Sequence, residues 1–444
     1  MTTTPEVIDL LIEARWIAAV DPDVVHKNHA VAVNKGRILA ILPTGEARAR
    51  YAPTKTTLLP DHIVIPGLIN LHTHAAMSLM RGLADDLPLM DWLEKHIWPT
   101  EAKHLSTQFV YDGTRLACAE MLKGGITCFN DMYFFPDAAA TAASEFGMRA
   151  MLGITTLEFP TPYASDAADY INKGLAVREA WHNNPLIGFC LAPHAPYTVS
   201  DSTFERILTL SEQLNLPVHC HIHETQQEIA DNLKQHKLRP LARLHKLGIL
   251  GPNFIGVHAV HLNDDDLHLL ADTGSNITHC PTSNLKLASG FAPVAKMRQL
   301  GINVGLGTDG AASNNRLDLF GEMRLASLLA KGLTGDASVL PAREMLRMAT
   351  LNAASALGLA DEIGSITPGK SADLCAVSLG ELETRPCFDP VSHLVNVAGR
   401  ESVTHVWVAG KCCVDNKSLL QHDQNRLESA IALWQNSLEF RQRA

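Results

Sequence analysis

His72 and His74 lie one residue apart in the stretch GLINLHTHAAMSLMRG, where an apolar run that begins at Gly67 comes to its end. In an extended strand, residues two apart face the same side, so both imidazoles can address one target. The pair is weak evidence alone, because either ring could satisfy a backbone carbonyl or lie in solvent. It gains weight from His221, His258 and Asp309, which close three further apolar runs. Neutral imidazoles with one carboxylate form a borderline-hard donor set suited to Zn²⁺, with Fe²⁺ or Mn²⁺ as alternatives, and leave a position for water. The expected assignment is His72, His74, His221 and Asp309 as ligands of one divalent ion, with His258 beside the water. Such an ion would lower the pKa of that water toward about 7. Asp309 could also accept its proton. Glu224, three residues after His221, is too far along to share the strand face, but a loop starting after Ile222 would swing it over the pocket as a general acid.

A scaffold must bring these groups together. From about residue 66 to 360, short β-like apolar runs alternate with longer helical segments, the pattern of βα units with parallel strands. The runs are VIPGLINLH (64 to 72), ITCFND (126 to 131), RAMLGI (149 to 154), IGFCLAPH (187 to 194), PVHCHIH (217 to 223), FIGVHA (254 to 259), NITHCP (276 to 281) and INVGLGTD (302 to 309). Eight of them predict a (β/α)8 barrel, whose site forms where the strands end. The segment STFERILTLSEQLN has helical apolar spacing after a Ser suited to capping. Residues 1–65 and 361–444 contain further strand-like pieces. Neither flank is large enough for a comfortable core, so the two are expected to pair into one β-sandwich, with a terminal helix after it. The expected divisions are therefore 1–65, 66–360 and 361–444.

Plain structural readings compete at each position. Taken singly, a His at 72, 221 or 258 is more often an ordinary interior or surface residue than a ligand. The coincidence of five ionisable groups at four strand ends is what favours a metal site. His219 faces the same side as His221, one layer deeper, and reads as barrel filler. His223, His261 and His279 are better read as structural, and Asp264 to Asp266 as a solvated helix cap. The fourth run ends without a Lys that could be modified to bridge two ions, so a single ion is expected.

With 46% hydrophobic and 19% charged residues, the 444-residue chain fits a globular enzyme with a large core. Its net charge of -10 argues against a nucleic-acid surface. The N-terminus lacks the order of a signal peptide, and no apolar stretch is long enough to span a membrane, so a cytoplasmic location is expected. The nine cysteines show no paired zinc spacing and read as buried thiols.

Taken together, PGLINLHTH, HCHIHE, VHAVHL, SNLKLASGFAP and GLGTDGAASNN resemble the amidohydrolase superfamily over nearly the whole chain. HAAMSLMRGLADDLPLMDWLEKHIWPTE and APHAPYTVS narrow the resemblance to the 5-methylthioadenosine/S-adenosylhomocysteine deaminase family. That resemblance implies a sandwich built from both chain ends, the ligand set above, Glu224 as the proton shuttle to the purine ring and His258 as the group that polarises the attacking water. It implies Glu101 as acceptor of the ribose 2′ and 3′ hydroxyls, a role a carboxylate can fill for two donors at once. His194 is implied as a further substrate contact, and Trp92 and Trp98 as apolar walls. The implied reaction is hydrolytic removal of the adenine 6-amino group by a metal-activated hydroxide, on a small-molecule nucleoside, in a homodimer or homotetramer.

Some members of that family carry arginines after the third barrel strand, suited to an amino-acid carboxylate. This chain reads GITTLEFPTPYASDAADY there, with no Arg, and Arg149 is expected at the wrong end of the strand. Methylthioadenosine or adenosine is therefore expected to be preferred over S-adenosylhomocysteine. The chemically close alternative is an aminohydrolase or chlorohydrolase acting on guanine, 8-oxoguanine, cytosine or a triazine, none of which offers a ribose diol to Glu101. A noncatalytic scaffold is disfavoured, because burying that much polar character without an ion would be costly.

Overall fold

The structure, a computed structural model, describes residues 4–420 and 422–439. Four strands come first: β1 (Glu6–Ala18), β2 (Val25–Asn34), β3 (Arg37–Pro43) and β4 (Tyr51–Pro66). Eight follow: β5 (Leu68–Thr73), β6 (Ile126–Asp131), β7 (Arg149–Thr156), β8 (Ile187–Pro193), β9 (Val218–Ile222), β10 (Phe254–His258), β11 (Asn276–His279) and β12 (Asn303–Leu306). The last four are β13 (Leu374–Ser378), β14 (Val403–Val408), β15 (Lys411–Asp415) and β16 (Ser418–Leu419).

β5 to β12 form one eight-stranded sheet in sequence order, as the alternation of strands and helices predicts. Its first and last strands meet. The Asp309 N–H donates to the His72 carbonyl (3.0 Å), and the Asn70 amide donates to Thr308 Oγ1 (2.7 Å). Gly307 allows that approach, since a Cβ there would stand 2.9 Å from the His72 backbone nitrogen. These strands are buried on both faces, which is why they read as continuous apolar runs. The helix Asp201–Leu214, predicted from its apolar spacing, is capped by Ser200, whose hydroxyl accepts the Thr203 N–H.

The remaining strands form a second eight-stranded sheet in the order β16-β15-β14-β13-β4-β1-β2-β3, so both chain ends contribute to it as expected. The join is β4 against β13, antiparallel from Pro66 and Leu374 to His62 and Ser378. Leu10, Ile12 and Ala14 of β1 face a core with Val31, Leu374 and Trp407. On the other face, Glu13 is held by Arg48 of the helix Thr44–Arg50, with Oε2 to guanidinium 2.6 Å apart.

Two compact units result. One holds residues 4–69, 121–128 and 318–420, and the other holds 70–120, 129–317 and 422–439. The second sheet thus shares its unit with residues 121–128 and with the chain from Asp318 onward. The terminal helix Gln424–Glu439 belongs to the other unit, where Trp434 donates to Asp112 (3.0 Å) and packs edge-on against Phe109. Among the described residues no helix is long and apolar enough to cross a membrane.

Candidate active site

Parallel strands all end on one face, and the chemistry-bearing residues gather there. His72 lies in β5 with His74 just past its end, His221 in β9 and His258 at the last position of β10. Asp309 follows β12. His258 (φ 73°) and Asp309 (φ 61°) have left-handed backbones, a conformation that costs a non-glycine residue energy and collects at functional sites.

The donor atoms form two overlapping groups, His72/His221/His258 and His72/His74/Asp309, within which all atoms lie no more than 4.8 Å apart. Second partners fix the rings. His74 Nδ1 donates to the Met132 carbonyl (2.6 Å), His221 Nδ1 to the His194 carbonyl (2.8 Å) and His258 Nδ1 to Asn284 Oδ1 (2.9 Å). Each bond commits Nδ1 as the donor and leaves Nε2 facing the cluster, the orientation a metal ligand needs. His72 Nδ1 lies 3.1 Å from His219 Nε2. His72 Nε2 is buried with no hydrogen-bond partner, 3.2 Å from Asp309 Oδ1. An unpaired buried polar atom costs about 1–3 kcal/mol, and a divalent cation at this point would relieve it. The residues therefore fit a divalent metal ion. By distance alone, His258 is placed as well as His221 to serve as a ligand.

Charge points the same way. Burial lowers His72 to about 4 and His221 well below its usual range, so both rings are neutral. Burial also opposes ionisation of Asp309, but the closeness of His72 and His74 outweighs it and holds the carboxyl well below the usual range. His74 goes the other way: burial would lower it, yet Asp309, 3.3 Å from its Nε2, raises it to about 9. Without a cation, His74 and Asp309 form an ion pair, and metal binding would displace that proton. Asp309 Oδ2 accepts from Ser283 Oγ (2.6 Å) and Oδ1 from the Gly310 N–H (2.8 Å).

With His72 buried beneath them, His74, His221, His258 and Asp309 line a cleft. Glu224 reaches it from the loop after β9, as that loop's start at Ile222 suggested, with Oε2 3.7 Å from His258 Nε2 and Oε1 accepting from Ser289 Oγ (3.4 Å). Glu228 fastens the loop by accepting the backbone N–H groups of His223 (2.9 Å) and Glu224 (2.8 Å). Burial raises the Glu224 carboxyl. Glu101 lines the cleft as well, raised by burial to about 6. His194 lines the cleft too; its Nδ1 meets Thr198 Oγ1 at 3.0 Å, and burial lowers it to about 3. Trp92 and Trp98 form part of the apolar wall, with Leu89, Leu93, Ile97 and Phe159. The helical stretch that carries them contains a π turn, Leu93–Ile97, a distortion frequent at functional sites. No Lys or Arg lines the cleft among the described residues. Arg149 opens β7 at the opposite end and donates to the Pro185 carbonyl.

The structure revises several readings. His219 is more than filler, since it supports His72. His223 is tied to the backbone at both ring nitrogens, through His261 O and the Leu241 N–H, and His261 Nε2 to the Ser289 carbonyl, as structural histidines should be. His279 is buried, and burial lowers it to about 3. Asp264 and Asp265 are exposed, but Asp266 is not solvated. It is buried in a capping box with Asn263 and paired with Arg239 at 2.6 Å, because a capping carboxylate turned inward meets that guanidinium. Sequence reasoning gave no role to Ser283, Asn284 or Ser289, although SNLKLASG was singled out, nor to Tyr133. The position of Tyr133, two residues past the end of β6, was the available signal.

The profile of the Amidohydrolase family matches residues 63–413. The chain is 47% identical to a 5-methylthioadenosine/S-adenosylhomocysteine deaminase of Saccharophagus degradans, over 97% of each chain. It is 40% identical to a 5'-deoxyadenosine deaminase of Methanosarcina acetivorans, over 94% of this chain and 96% of that one. Among solved structures it is similar to an adenosine deaminase from Xanthomonas campestris with bound zinc, at 48% identity and a TM-score of 0.97, covering 98% of this chain and 100% of that chain.

Proposed function

From the premise that the chain belongs to the amidohydrolase family and is a metal-dependent hydrolytic deaminase, we propose that it removes the 6-amino group of 5′-methylthioadenosine, adenosine and related 5′-substituted adenine nucleosides, giving the inosine-type product and ammonia. The observation that carries this reading is a single cleft holding the His/Asp cluster, Glu224 and Glu101. His72, His74, His221 and Asp309 would hold one divalent ion, zinc by the donor set. When bound, that ion would supply a water of lowered pKa as the nucleophile for C6.

The chain's own groups carry the protons. Glu224, whose burial favours its protonated form, protonates N1 of the purine, which breaks the aromaticity and localises the tetrahedral centre at C6. Asp309 takes one proton from the attacking water and delivers it to the departing amine. The second water proton restores Glu224, so the cycle closes. His258, its ring set by Asn284, stabilises charge near the developing oxygen. Glu101 accepts the ribose hydroxyls, His194 contacts the nucleoside, and Trp92 with Trp98 packs against it.

Ammonia release from purified protein with methylthioadenosine, adenosine, S-adenosylhomocysteine, guanine and a chlorotriazine, with and without chelator, tests the proposal. Chelator-sensitive turnover of the nucleosides is expected. Silence on the nucleosides with turnover of a free base or triazine would move the substrate to another ring system.

The cleft also predicts an order among nucleosides. An apolar wall without Lys or Arg accepts a methylthio group readily, but offers no cationic partner to an amino-acid carboxylate. kcat/KM is expected to be at least about tenfold higher for methylthioadenosine than for S-adenosylhomocysteine, the size of one lost charge-assisted bond. Equal values, or the reverse order, would show that another group receives that carboxylate.

A further inference from the structure

Glu101 is not free in its cleft. The Tyr133 hydroxyl donates to Glu101 Oε1 at 2.6 Å, a short charge-assisted bond. Tyr133 is itself immobilised: it is only 5% exposed, and its carbonyl accepts the Thr155 hydroxyl of β7 at 3.0 Å. The ring packs against Phe134 with centroids 5.4 Å apart. Glu101 comes instead from the short helix Trp98–His104, on the cleft wall beside the π turn, and no other side-chain hydrogen bond to its carboxylate is evident among the described residues. A rigid phenol anchored on the barrel thus grips a carboxylate presented by a separate wall segment.

We propose that Tyr133 is a positioning residue for sugar recognition, occupying one oxygen of Glu101 so that the other faces the ribose diol in a fixed orientation. This rests on the reading of Glu101 as the diol acceptor. Each carboxylate oxygen carries two acceptor sites, so Oε2 can take both hydroxyls, or the pair can be shared with the open site on Oε1. Without the phenol, the carboxylate is free to rotate about its last bond, and a diol must pay the ordering cost that Tyr133 has already met. Sugar recognition and chemistry are then separable by assay although the groups are neighbours, the Tyr133 ring lying 6.4 Å from that of His74: Tyr133 acts on binding through Glu101, and its hydroxyl carries no proton of the reaction. The pair distinguishes nucleosides by their sugar rather than their base.

The test is Tyr133→Phe in the metal-loaded enzyme, with adenosine compared against 2′,3′-dideoxyadenosine, which differs only in lacking the diol. The variant is expected to lose about tenfold in kcat/KM on adenosine, the size of one charge-assisted hydrogen bond, chiefly through KM. On dideoxyadenosine it should stay within about twofold of the wild type. An equal loss on both substrates would mean that the hydroxyl only supports the fold, and no loss on adenosine would mean that Glu101 orients itself; either overturns the inference. Glu101→Gln, assayed on the same pair, tests the underlying reading. If it treats the two substrates alike, the diol assignment itself falls. If it discriminates and Tyr133→Phe does not, only the role of Tyr133 falls.

Discussion

Asp309→Asn is expected to lower kcat by about 10³-fold or more, with little change in the melting temperature. The substitution is isosteric, and its amide oxygen can still accept the Gly310 N–H that Asp309 Oδ1 accepts now. What disappears is the negative charge between His72 and His74 and the ability to carry a proton at neutral pH. The carboxylate is held well below its usual pKa by those two histidines, so it is ionised in the resting state and ready to receive a proton from water. Turnover and metal content should be measured together. Near-normal kcat with metal retained would sink the proposed proton route. Loss of metal along with activity would instead assign Asp309 chiefly as a ligand, and saturating the variant with zinc would then separate the two contributions.

The second large effect is at Glu224. Glu224→Gln is expected to cost about 10²–10⁴-fold in kcat while the divalent ion stays bound, because the side chain lies outside both groups of clustered donor atoms. The glutamine should keep the position of the side chain, since Glu228 holds the loop through backbone N–H groups that the substitution leaves untouched. The raised pKa of Glu224 makes the wild-type group a better proton donor near neutrality, and the amide has no proton to give. Full metal occupancy with lost turnover is the expected pair of results. A variant that kept its kcat would show that N1 is protonated from elsewhere, and one that lost its metal would place Glu224 among the ligands.

Much of the architecture was legible because it depends on short-range pattern. The runs at 126 to 131 and 254 to 259 became β6 and β10 with their ends nearly as predicted, since a strand buried on both faces reads as a short, apolar-rich run between polar turns. The joining of both chain ends in one sheet followed from flanks too small to fold alone. Less was legible where a local motif has two uses. Asp264 to Asp266 look alike in sequence, yet only Asp266 turns inward to Arg239, a residue 27 positions away. Likewise the alternation that sets His219 below His221 could not tell whether the deeper ring packs against carbon or meets another ring nitrogen.

Residue types and spacing determined that this chain would bring His72, His74, His221, His258 and Asp309 to one end of a barrel, because strand period and strand ends are local properties. Only the tertiary structure decided which ring nitrogen of each histidine faces inward, since that depends on carbonyls at Met132 and His194 and an amide at Asn284 contributed by other strands and loops. It also decided that Tyr133 meets Glu101 across 32 residues of chain. Such pairings are made by loops and wall helices whose paths follow from left-handed residues, a π turn and the packing beneath them, and none of these leaves a periodic trace in sequence.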